Sequence, residues 1–513
     1  MESNDWKRLE IVERRSREIA EEFGLSTTDV LFEIVSSQQM LEGMAYRFPT
    51  NFSHWTFGRD YERARTIYEH TGGGLPYEVV WNFETPQAFL LESNPFALNA
   101  LVIAHVWGHV DFFLKSRYLQ RGRVFSDIAS EARSAAERFR GYEERYGKDE
   151  VEKFIDAAMS IEWHQHPDPF FEEPDEEGAR ERLIRQERAK LERALDFHSQ
   201  FKKPETKAEI REIEKRLKRL ARKTPPEPVY DLLWYIIRKS PLPLEAWQQD
   251  VLSVVRSQAR ALAPNRKTKL LNEGWATYWH VRIMRRLFAE GVLDAKEHGV
   301  FADFHAKVTR PLRHDFNWYA IGPALYEYAE ERWDRGQFGR EFDECDDPAK
   351  KAYWDAKTGK GREKIFEMRS FYSDRMAIEQ FFDADFIRRN DLYLYTQTVD
   401  PQNGDIVDVV AERDPEKIRR ILKHLFVHYG TPVIRVEDGN HNQRGELYLV
   451  HEFDGFELDP SYRDRTLENI HELWGRSVHL ETVIEGKRAL CTYNGRSVSV
   501  DTGGSAADGL IEL

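Results

Sequence analysis

The order of apolar and polar residues divides the chain into a long helical region and a shorter region of mixed structure. Up to about residue 400, most segments have the three-and-four spacing of apolar residues that predicts helices. Residues 96–110 carry no formal charge, and Ser93 or Asn94 can cap a helix there. A helix that is apolar on all sides is a buried helix. One strand is predicted nearby, at residues 77–83, after a glycine-rich loop at residues 72–76.

Two later segments depart from this pattern. Residues 172–228 start with an acidic run and continue as two charged helices with narrow apolar seams, which predicts an antiparallel hairpin. We interpret it as a solvated arm without a catalytic role. Its second helix has coiled-coil spacing at Ile210, Ile213, Leu217 and Leu220. After Pro401, a helix at residues 417–429 precedes four predicted strands with turns such as residues 438–440 between them: TPVIRVED, GELYLVHEF, VHLETVIE and RALCTYN.

The predicted fold class is therefore mainly α, with a large helical N-terminal domain that includes a charged helical hairpin, and a small α+β C-terminal domain. We place the helical domain at residues 1–400, its charged arm at 172–228, the α+β domain at 401–500 and a tail at 501–513. With 41% hydrophobic and 13% aromatic residues among 513, the composition is that of a folded globular protein.

Charge and cysteine content narrow the classes of function. A net charge of -14 disfavours binding to nucleic acid or to an anionic membrane, since both need a basic surface. The N-terminal segment is a charged helix without the apolar core of a signal peptide, and no uninterrupted apolar run is long enough to predict a membrane span. We therefore expect a cytoplasmic protein. Cys345 and Cys491 lie in different regions, so a metal would have to be bound by His, Asp or Glu.

The charge-free helix contains two histidines one turn apart, His105 and His109, in the sequence HVWGH. This differs from the zinc-peptidase motif HExxH by Val106 in place of the glutamate. The helix offers no polar face to the two rings, and a buried polar group without a partner costs ~1–3 kcal/mol. From this helix alone two explanations stay open: a hydrogen-bonded pair in the core, or a divalent metal ion bound by both imidazoles.

A second helix, in the segment KLLNEGWATYWH, favours the metal. Glu273, Thr277 and His280 follow one stripe of this helix, and its other faces carry Leu271, Trp275, Tyr278 and Trp279. Burying an ionised carboxylate in such a setting costs on the order of several kcal/mol of folding free energy unless the carboxylate is paired. No Lys or Arg lies between residues 270 and 281 to neutralise it locally. Its partner must therefore come from elsewhere in the fold.

A metal ion held by His105 and His109 would be that partner. Two histidines and one glutamate bind the metal in many zinc hydrolases, and a water completes the shell. We therefore predict a zinc site formed by His105, His109 and Glu273. The residues expected close to it, in contact with the ion or with its ligands, are His280, Thr277 and His54.

The missing glutamate leaves the chemistry of such a site open. In HExxH enzymes that carboxylate deprotonates the water on the metal, and here its position is Val106. Either another element supplies the general base, with Glu78, His54 and His280 as unranked candidates, or the metal is structural.

Several blocks of the chain resemble the SpoVR family (stage V sporulation protein R). They include MLEGMAYRFPTNFSHWTFGRDYE, NALVIAHVWGHVDFF, DGNHNQRGELYLVHEFDGFELD and, as the most specific, NEGWATYWH. The resemblance runs from about residue 30 to about residue 500. It implies a cytoplasmic protein linked to formation of the spore cortex in spore formers and present also in bacteria that do not sporulate. Because family members are often encoded beside a serine protein kinase, it also implies that kinase as a partner.

Two hypotheses follow. In the first, the protein is a metal-dependent, gluzincin-like hydrolase without the glutamate of HExxH, and it acts on a peptide or amide bond in a cell-wall precursor or a regulatory protein. In the second, it is a non-catalytic regulator or scaffold linked to the kinase, in which the metal is structural and the C-terminal α+β domain docks a partner.

Overall fold

The computed structural model describes residues 3–45, 52, 54–71, 78–122, 128–166, 168, 170–171, 175–399 and 404–502. Within them, the chain is mainly helical with a strand-rich C-terminal part, which confirms the predicted fold class. The predicted loop at residues 72–76 and all but the first two residues of the predicted tail fall outside the described residues.

The described helices are α1 (Ser3–Glu22), α2 (Ser37–Ala45), α3 (Trp55–Thr71), α4 (Phe96–Lys115), α5 (Arg117–Gly122), α6 (Ile128–Tyr146), α7 (Lys148–Met159), α8 (Glu176–Phe201), α9 (Pro204–Leu220), α10 (Leu232–Lys239), α11 (Ala246–Lys267), α12 (Lys269–Ala289), α13 (Ala295–Val308), α14 (Trp318–Asp334), α15 (Arg340–Asp343), α16 (Pro348–Ala352), α17 (Gly361–Phe371), α18 (Asp374–Phe381), α19 (Ala384–Arg389), α20 (Pro415–Phe426) and α21 (Pro460–Trp474). The strands are β1 (Leu31–Val35), β2 (Glu78–Trp81), β3 (Gln87–Leu91), β4 (Leu394–Val399), β5 (Ile406–Glu412), β6 (Ile434–His441), β7 (Glu446–His451), β8 (Val478–Ile484), β9 (Lys487–Tyr493) and β10 (Val498–Asp501).

Contacts between residues divide the chain into two compact units, and each unit combines two separate stretches. The first unit comprises Met1–Ala136 and Ala261–Tyr429, and the second comprises Glu137–Arg260 and Gly430–Leu513. The charged arm thus belongs to the same unit as the C-terminal strands. The linear division at residue 400 stays a prediction about domains.

In the first unit, α12 is the central helix of the core. It packs against α4 on one side and α14 on another, and α1 and α17 also contact α4. Large rings fill the space between these helices, with Trp107, Trp275, Trp279 and Tyr326 fully buried. A three-stranded sheet of order β1-β3-β2 also belongs to this unit; β3 runs parallel to β1 and antiparallel to β2. Strand β2 is shorter than the 77–83 segment predicted from the sequence.

Glycines allow α12 to approach both neighbouring helices at backbone distance. A Cβ atom on Gly108 of α4 would lie 2.5 Å from the Cα of Ala276. A Cβ atom on Gly274 would lie 2.6 Å from the carbonyl carbon of Gly322 in α14. Contacts this short leave no room for a side chain, so the helix spacing requires glycine at these positions.

Two buried aspartates fix the ends of the central helices. Asp111 near the end of α4 accepts hydrogen bonds from the backbone N–H of Ser26 (2.7 Å), from Nε1 of Trp275 (2.8 Å) and from Nη1 of Arg369 (3.1 Å). Asp374 accepts from the first backbone N–H groups of α12, those of residues 270 and 271, at 2.9 and 3.0 Å. Helix α12 is therefore capped by a side chain from another element rather than by its own preceding residue.

Helix α4 is the buried helix predicted from the charge-free run. Seventeen of its residues are buried. Its N-cap residue is Pro95, and neither Ser93 nor Asn94 caps it, contrary to the prediction. Among the described residues, it is also the one helix long and apolar enough to cross a membrane, but 94% of that window is buried inside the protein. Burial in the core accounts for its composition.

In the second unit, α8 and α9 form the predicted antiparallel hairpin. Its seam contains Ala194, Ile210 and Ile213, and Arg180 at the start of α8 donates to the carbonyl of Leu220 at the end of α9 (2.6 Å). A five-stranded sheet has the order β10-β9-β8-β7-β6 and is antiparallel except between β7 and β8. The four predicted C-terminal strands are confirmed, but the turn predicted at residues 438–440 lies within β6, where the register with β7 shifts.

The close approach of α12 and α14 predicts a strong effect of one methyl group. Gly274→Ala forces the two backbones apart and should lower the free energy of unfolding by about 1–3 kcal/mol. Gly299→Ala in α13 is the matched control, because nothing lies within 4 Å of its Cβ position. It should leave stability unchanged or raise it by up to ~1 kcal/mol. Urea unfolding followed by circular dichroism measures both variants, and equal stabilities would refute the close packing.

The buried pair of Asp111 and Arg369 predicts a second large effect. Asp111→Ala leaves the guanidinium of Arg369 buried without its carboxylate, so the free energy of unfolding should fall by about 3–5 kcal/mol. Asp303→Ala breaks an ion pair with Lys307 in which both side chains are exposed, and should change stability by less than about 1 kcal/mol. A small effect at Asp111, measured by the same unfolding experiment, would contradict the anchoring role.

Candidate metal centre

Three separate elements bring two imidazoles and two carboxylates together in the first unit. Nε2 of His105 lies 3.3 Å from Oε1 of Glu78 and 3.7 Å from Oε2 of Glu273. Nε2 of His109 lies 4.0 and 3.7 Å from the same two oxygens. The histidines come from α4, Glu273 from α12 and Glu78 from the first position of β2. Ligand atoms about 2.0–2.2 Å from one tetrahedral zinc ion lie about 3.3–3.6 Å from each other. The separation between His105 and Glu78 falls in this range and the other three are slightly longer, and the ligand atoms of Glu78, His105 and His109 all lie within 4.8 Å of one another.

The four side chains are enclosed. Exposed fractions are 3% for His105, 6% for His109 and 16% for both Glu78 and Glu273. Within the described residues, neither Nε2 of His105 nor Oε2 of Glu273 has a hydrogen-bond partner of normal geometry. Buried polar atoms without partners are costly, and a cation between them would satisfy both at once. The donor set of imidazole nitrogen and carboxylate oxygen is one that suits zinc.

The outer nitrogens of both histidines are engaged by other side chains. Nδ1 of His109 lies 2.9 Å from Oδ1 of Asn272. A carbonyl oxygen only accepts, so Nδ1 carries the proton, and Nε2 of the neutral ring keeps a lone pair directed into the centre. Nδ1 of His105 lies 2.8 Å from Nδ1 of His280, and Nε2 of His280 lies 3.1 Å from Nδ1 of His305. Such outer partners orient metal-binding histidines.

The two histidines differ in their affinity for protons. Burial, together with the neighbouring His105, lowers the pKa of His109 to about 4. Burial also acts to lower the pKa of His105, but the carboxylates of Glu78 and Glu273 more than offset this and raise it. His105 therefore holds a proton more tightly than His109 does, and His109 is neutral at neutral pH.

The two carboxylates differ as well. Burial raises the pKa of Glu78 to about 7, and the nearby charge of Glu273 adds to this effect. Burial would also raise the pKa of Glu273, but the proximity of His105 and attraction to both imidazoles lower it to about 2. Glu273 is therefore ionised at neutral pH, whereas Glu78 exchanges a proton close to neutrality. Environments that separate the pKa values of paired carboxyl groups are typical of acid–base sites.

Residues that the sequence did not single out complete the surroundings. Tyr319 of α14 is half-buried, and the negative charge of Glu273, with burial, raises the pKa of its phenol well above its usual range. Burial lowers the pKa of His305, and it lowers that of His280, which the sequence did single out, far below its usual range. No local pattern marks Tyr319 or His305 in the sequence. Asn272 directly precedes Glu273 on the same helix, and this adjacency was the one feature of the sequence that could have suggested it as a site residue.

The remaining predicted residues occupy different places. Thr277 is 1% exposed on α12, and its hydroxyl oxygen has no hydrogen-bond partner among the described residues. His54 is buried; its Nδ1 lies 2.7 Å from the hydroxyl of Thr56, and its ring contacts Phe52 and Phe57. Participation of His54 and Thr277 in the site stays a prediction. Val106, at the position of the usual glutamate, is fully buried in the core.

The fold and the site together define the class of this protein: it is mainly helical and has a buried centre of two imidazoles and two carboxylates. The chain belongs to the SpoVR family: the family profile SpoVR like protein matches residues 3–430, and the SpoVR-like C-terminal domain matches residues 432–485. The boundary between these matches falls where the first compact unit ends, at Tyr429.

One relative is similar over most of its length. Uncharacterized protein YcgB of Escherichia coli (strain K12) is 29% identical over 487 residues, which cover 90% of this chain and 89% of that protein. No solved structure matches the chain. The comparisons therefore establish the family and leave the chemistry to be argued from the site.

The hydroxyl of Thr277 provides a test of the packing around the centre. Thr277→Val replaces a buried hydroxyl without a protein partner by a methyl group of the same shape. The free energy of unfolding should stay the same or rise by up to about 1 kcal/mol, because no hydrogen bond is lost and a desolvated polar atom is removed. Thermal and urea unfolding measure the change. A loss of more than about 1 kcal/mol would mean that this hydroxyl has a partner such as an ordered water.

Proposed function

We propose that the protein is a metal-dependent hydrolase of peptide or amide bonds, with a zinc ion bound by His105, His109 and Glu273. One observation supports this most directly. Side-chain atoms from α4 and α12 converge at distances suited to one ion, and the Nε2 atom of His105 and the Oε2 atom of Glu273 are buried without hydrogen bonds among the described residues. When bound, zinc supplies Lewis-acid chemistry that activates water and polarises a carbonyl group.

Glu78 is the general base that this proposal assigns. Its carboxylate lies 3.3 Å from Nε2 of His105, and it comes from strand β2 rather than from the helix with the histidines. Glu78 would thus accept the proton that the glutamate of HExxH accepts in other enzymes. A second carboxylate at position 106 of α4 would then not be required. A general base must lie within reach of the water on the metal, and the position of Glu78 beside His105 supports this role.

The other residues of the chain orient the reacting groups. Asn272 fixes the ring of His109 through its Nδ1 atom, and His280 does the same for His105. Tyr319 stays protonated at neutral pH, because the charge of Glu273 and burial raise the pKa of its phenol. The centre therefore keeps its donor atoms aimed at one point, as preorganised sites do.

Location, partner and substrate belong to the same proposal. Burial of α4 is consistent with a soluble protein, and we place it in the cytoplasm. The family's name points to sporulation. We assign it a role in spore cortex formation, with a serine protein kinase as partner and an amide bond in a cell-wall precursor or a regulatory protein as target.

The enclosure of the centre favours a second candidate function. Both histidines are at most 6% exposed and both carboxylates 16%, and a structural metal ion is typically closed off by its four protein ligands. In this case Glu78 would be the fourth ligand, and the protein would be a non-catalytic regulator or scaffold linked to the kinase.

Isosteric variants of the two glutamates distinguish these functions. Glu273→Gln removes a ligand charge and should weaken zinc binding by roughly tenfold or more. Glu78→Gln should keep stoichiometric zinc but lower amide hydrolysis by about 10²–10⁴-fold, the usual contribution of a general base. Metal content after dialysis is measured by mass spectrometry and hydrolysis with a panel of fluorogenic peptides. Glu92→Gln, an exposed glutamate after β3, is the control and should change neither.

The alternative outcomes are equally specific. A wild-type protein purified without stoichiometric zinc would contradict both functions. Loss of zinc from Glu78→Gln, with unfolding on addition of a chelator, would identify a structural site with four ligands. Retention of zinc and of a folded metal-free form, together with the loss of hydrolysis, would support the enzyme.

A further inference from the structure

Three imidazoles from three helices form a continuous hydrogen-bonded chain that leads away from the centre. His105 of α4 contacts His280 of α12 through their Nδ1 atoms at 2.8 Å, and His280 contacts Nδ1 of His305 in α13 through its Nε2 atom at 3.1 Å. His280 is 5% exposed and uses both of its ring nitrogens, whereas His305 is half-buried. The chain thus connects the innermost histidine with the edge of the unit.

When all three rings are neutral, as metal binding by His105 requires, the chemistry of imidazole restricts this hydrogen-bonded row to two arrangements. A hydrogen bond between two ring nitrogens contains one proton, and a neutral imidazole carries only one. Either every ring donates away from the centre, from His105 to His280 to His305, or every ring donates toward it. No mixed arrangement satisfies both hydrogen bonds with three neutral rings.

The two arrangements differ at the atom that faces the carboxylates. In the outward arrangement, Nε2 of His105 has a lone pair, which a metal ion requires. In the inward arrangement, the same Nε2 carries a proton, which points at Glu78 and Glu273 at 3.3 and 3.7 Å. The acceptor at the far end of this row of three imidazoles therefore influences whether Nε2 of His105 is free to bind a metal.

We propose that His305 is a positioning residue of the metal centre: its Nδ1 atom accepts the proton of His280 and thereby holds His105 in the tautomer that presents a lone pair to the ion. This inference rests on the proposed function, since it concerns the same zinc site. It adds a residue that does not contact the ion, and it gives His280 a defined role as the bridge that accepts at Nδ1 and donates at Nε2.

A purely structural role is the competing explanation. Phe301 packs near both rings, with centroids 6.4 Å from His280 and 5.7 Å from His305, so His305 could serve only to fill space between α12 and α13. The two roles make different demands. Packing needs a side chain of similar volume, whereas the tautomer needs an acceptor at the position of Nδ1.

Two substitutions of His305 separate these demands. His305→Asn places an amide oxygen where Nδ1 lies and keeps an acceptor, whereas His305→Leu keeps the volume and removes the acceptor. His298→Leu is the control, because His298 is also a half-buried histidine of α13 whose ring lies against Phe301, 5.6 Å away, and it takes no part in the chain.

The full-length protein is loaded with zinc, and the dissociation constant is measured by competition with a chelator. His305→Leu should weaken zinc binding by roughly 10–100-fold, as loss of an outer partner of a metal-bound histidine does. His305→Asn and His298→Leu should stay within about threefold of the wild type, well under that range. The visible spectrum of the cobalt(II) form should shift for His305→Leu alone. Unfolding midpoints of the metal-free proteins are recorded for all variants.

The outcomes separate this inference from the function on which it rests. Wild-type zinc affinity and an unchanged cobalt spectrum in His305→Leu would overturn the positioning role and leave the zinc site intact. Equal loss of affinity in His305→Asn and His305→Leu, with lower unfolding midpoints, would show packing instead and also overturn it. Absence of zinc from the wild type would refute the metal centre itself, and the inference would fall with it.

Discussion

The approach of α12 to α4 and α14 at backbone distance is the constraint on which the rest of the first unit depends. Helices usually pack with their axes about 8–10 Å apart, at a spacing set by the side chains between them. Here Gly108 meets Ala276, and Gly274 meets Gly322, without a side chain between the backbones. Because His109 follows Gly108 and Glu273 precedes Gly274, the same contacts that set the helix spacing bring an imidazole and a carboxylate within reach of each other.

Enclosure then makes these groups chemically unusual. Four ionisable side chains share a space from which most water is excluded, so each one changes the proton affinity of the others. Burial and like charge keep a proton close to Glu78 near neutral pH, whereas attraction to the imidazoles keeps Glu273 ionised. The same fold thus gives two glutamates different properties. In the proposed function, this difference would let Glu273 bind the ion while Glu78 accepts a proton, although Val106 replaces the glutamate of the motif on α4.

The supporting side chains explain how such a centre stays ordered. Asn272 and His280 engage the outer nitrogens of the two histidines. Beyond them, Asp111 and Asp374 tie α4 and α12 to other helices through buried hydrogen bonds. The charged hairpin and the C-terminal sheet belong to the other compact unit and contribute no residue to the four-residue centre. The SpoVR-like region at residues 3–430 therefore contains the whole of the candidate chemistry.

The sequence by itself determined the features that depend on local pattern. The charge-free run identified α4 as a buried helix, the seam of Ile210 and Ile213 identified the hairpin, and alternation identified four of the five C-terminal sheet strands. It also selected His105, His109 and Glu273, because a buried polar side chain without a local partner is visible in a single helix. Only the tertiary structure decided which distant groups meet them. Glu78 approaches from a short strand, and His280 contacts His105 from 175 residues away. Such contacts depend on helix spacing and on the path of the chain, and neither leaves a periodic signal in the sequence.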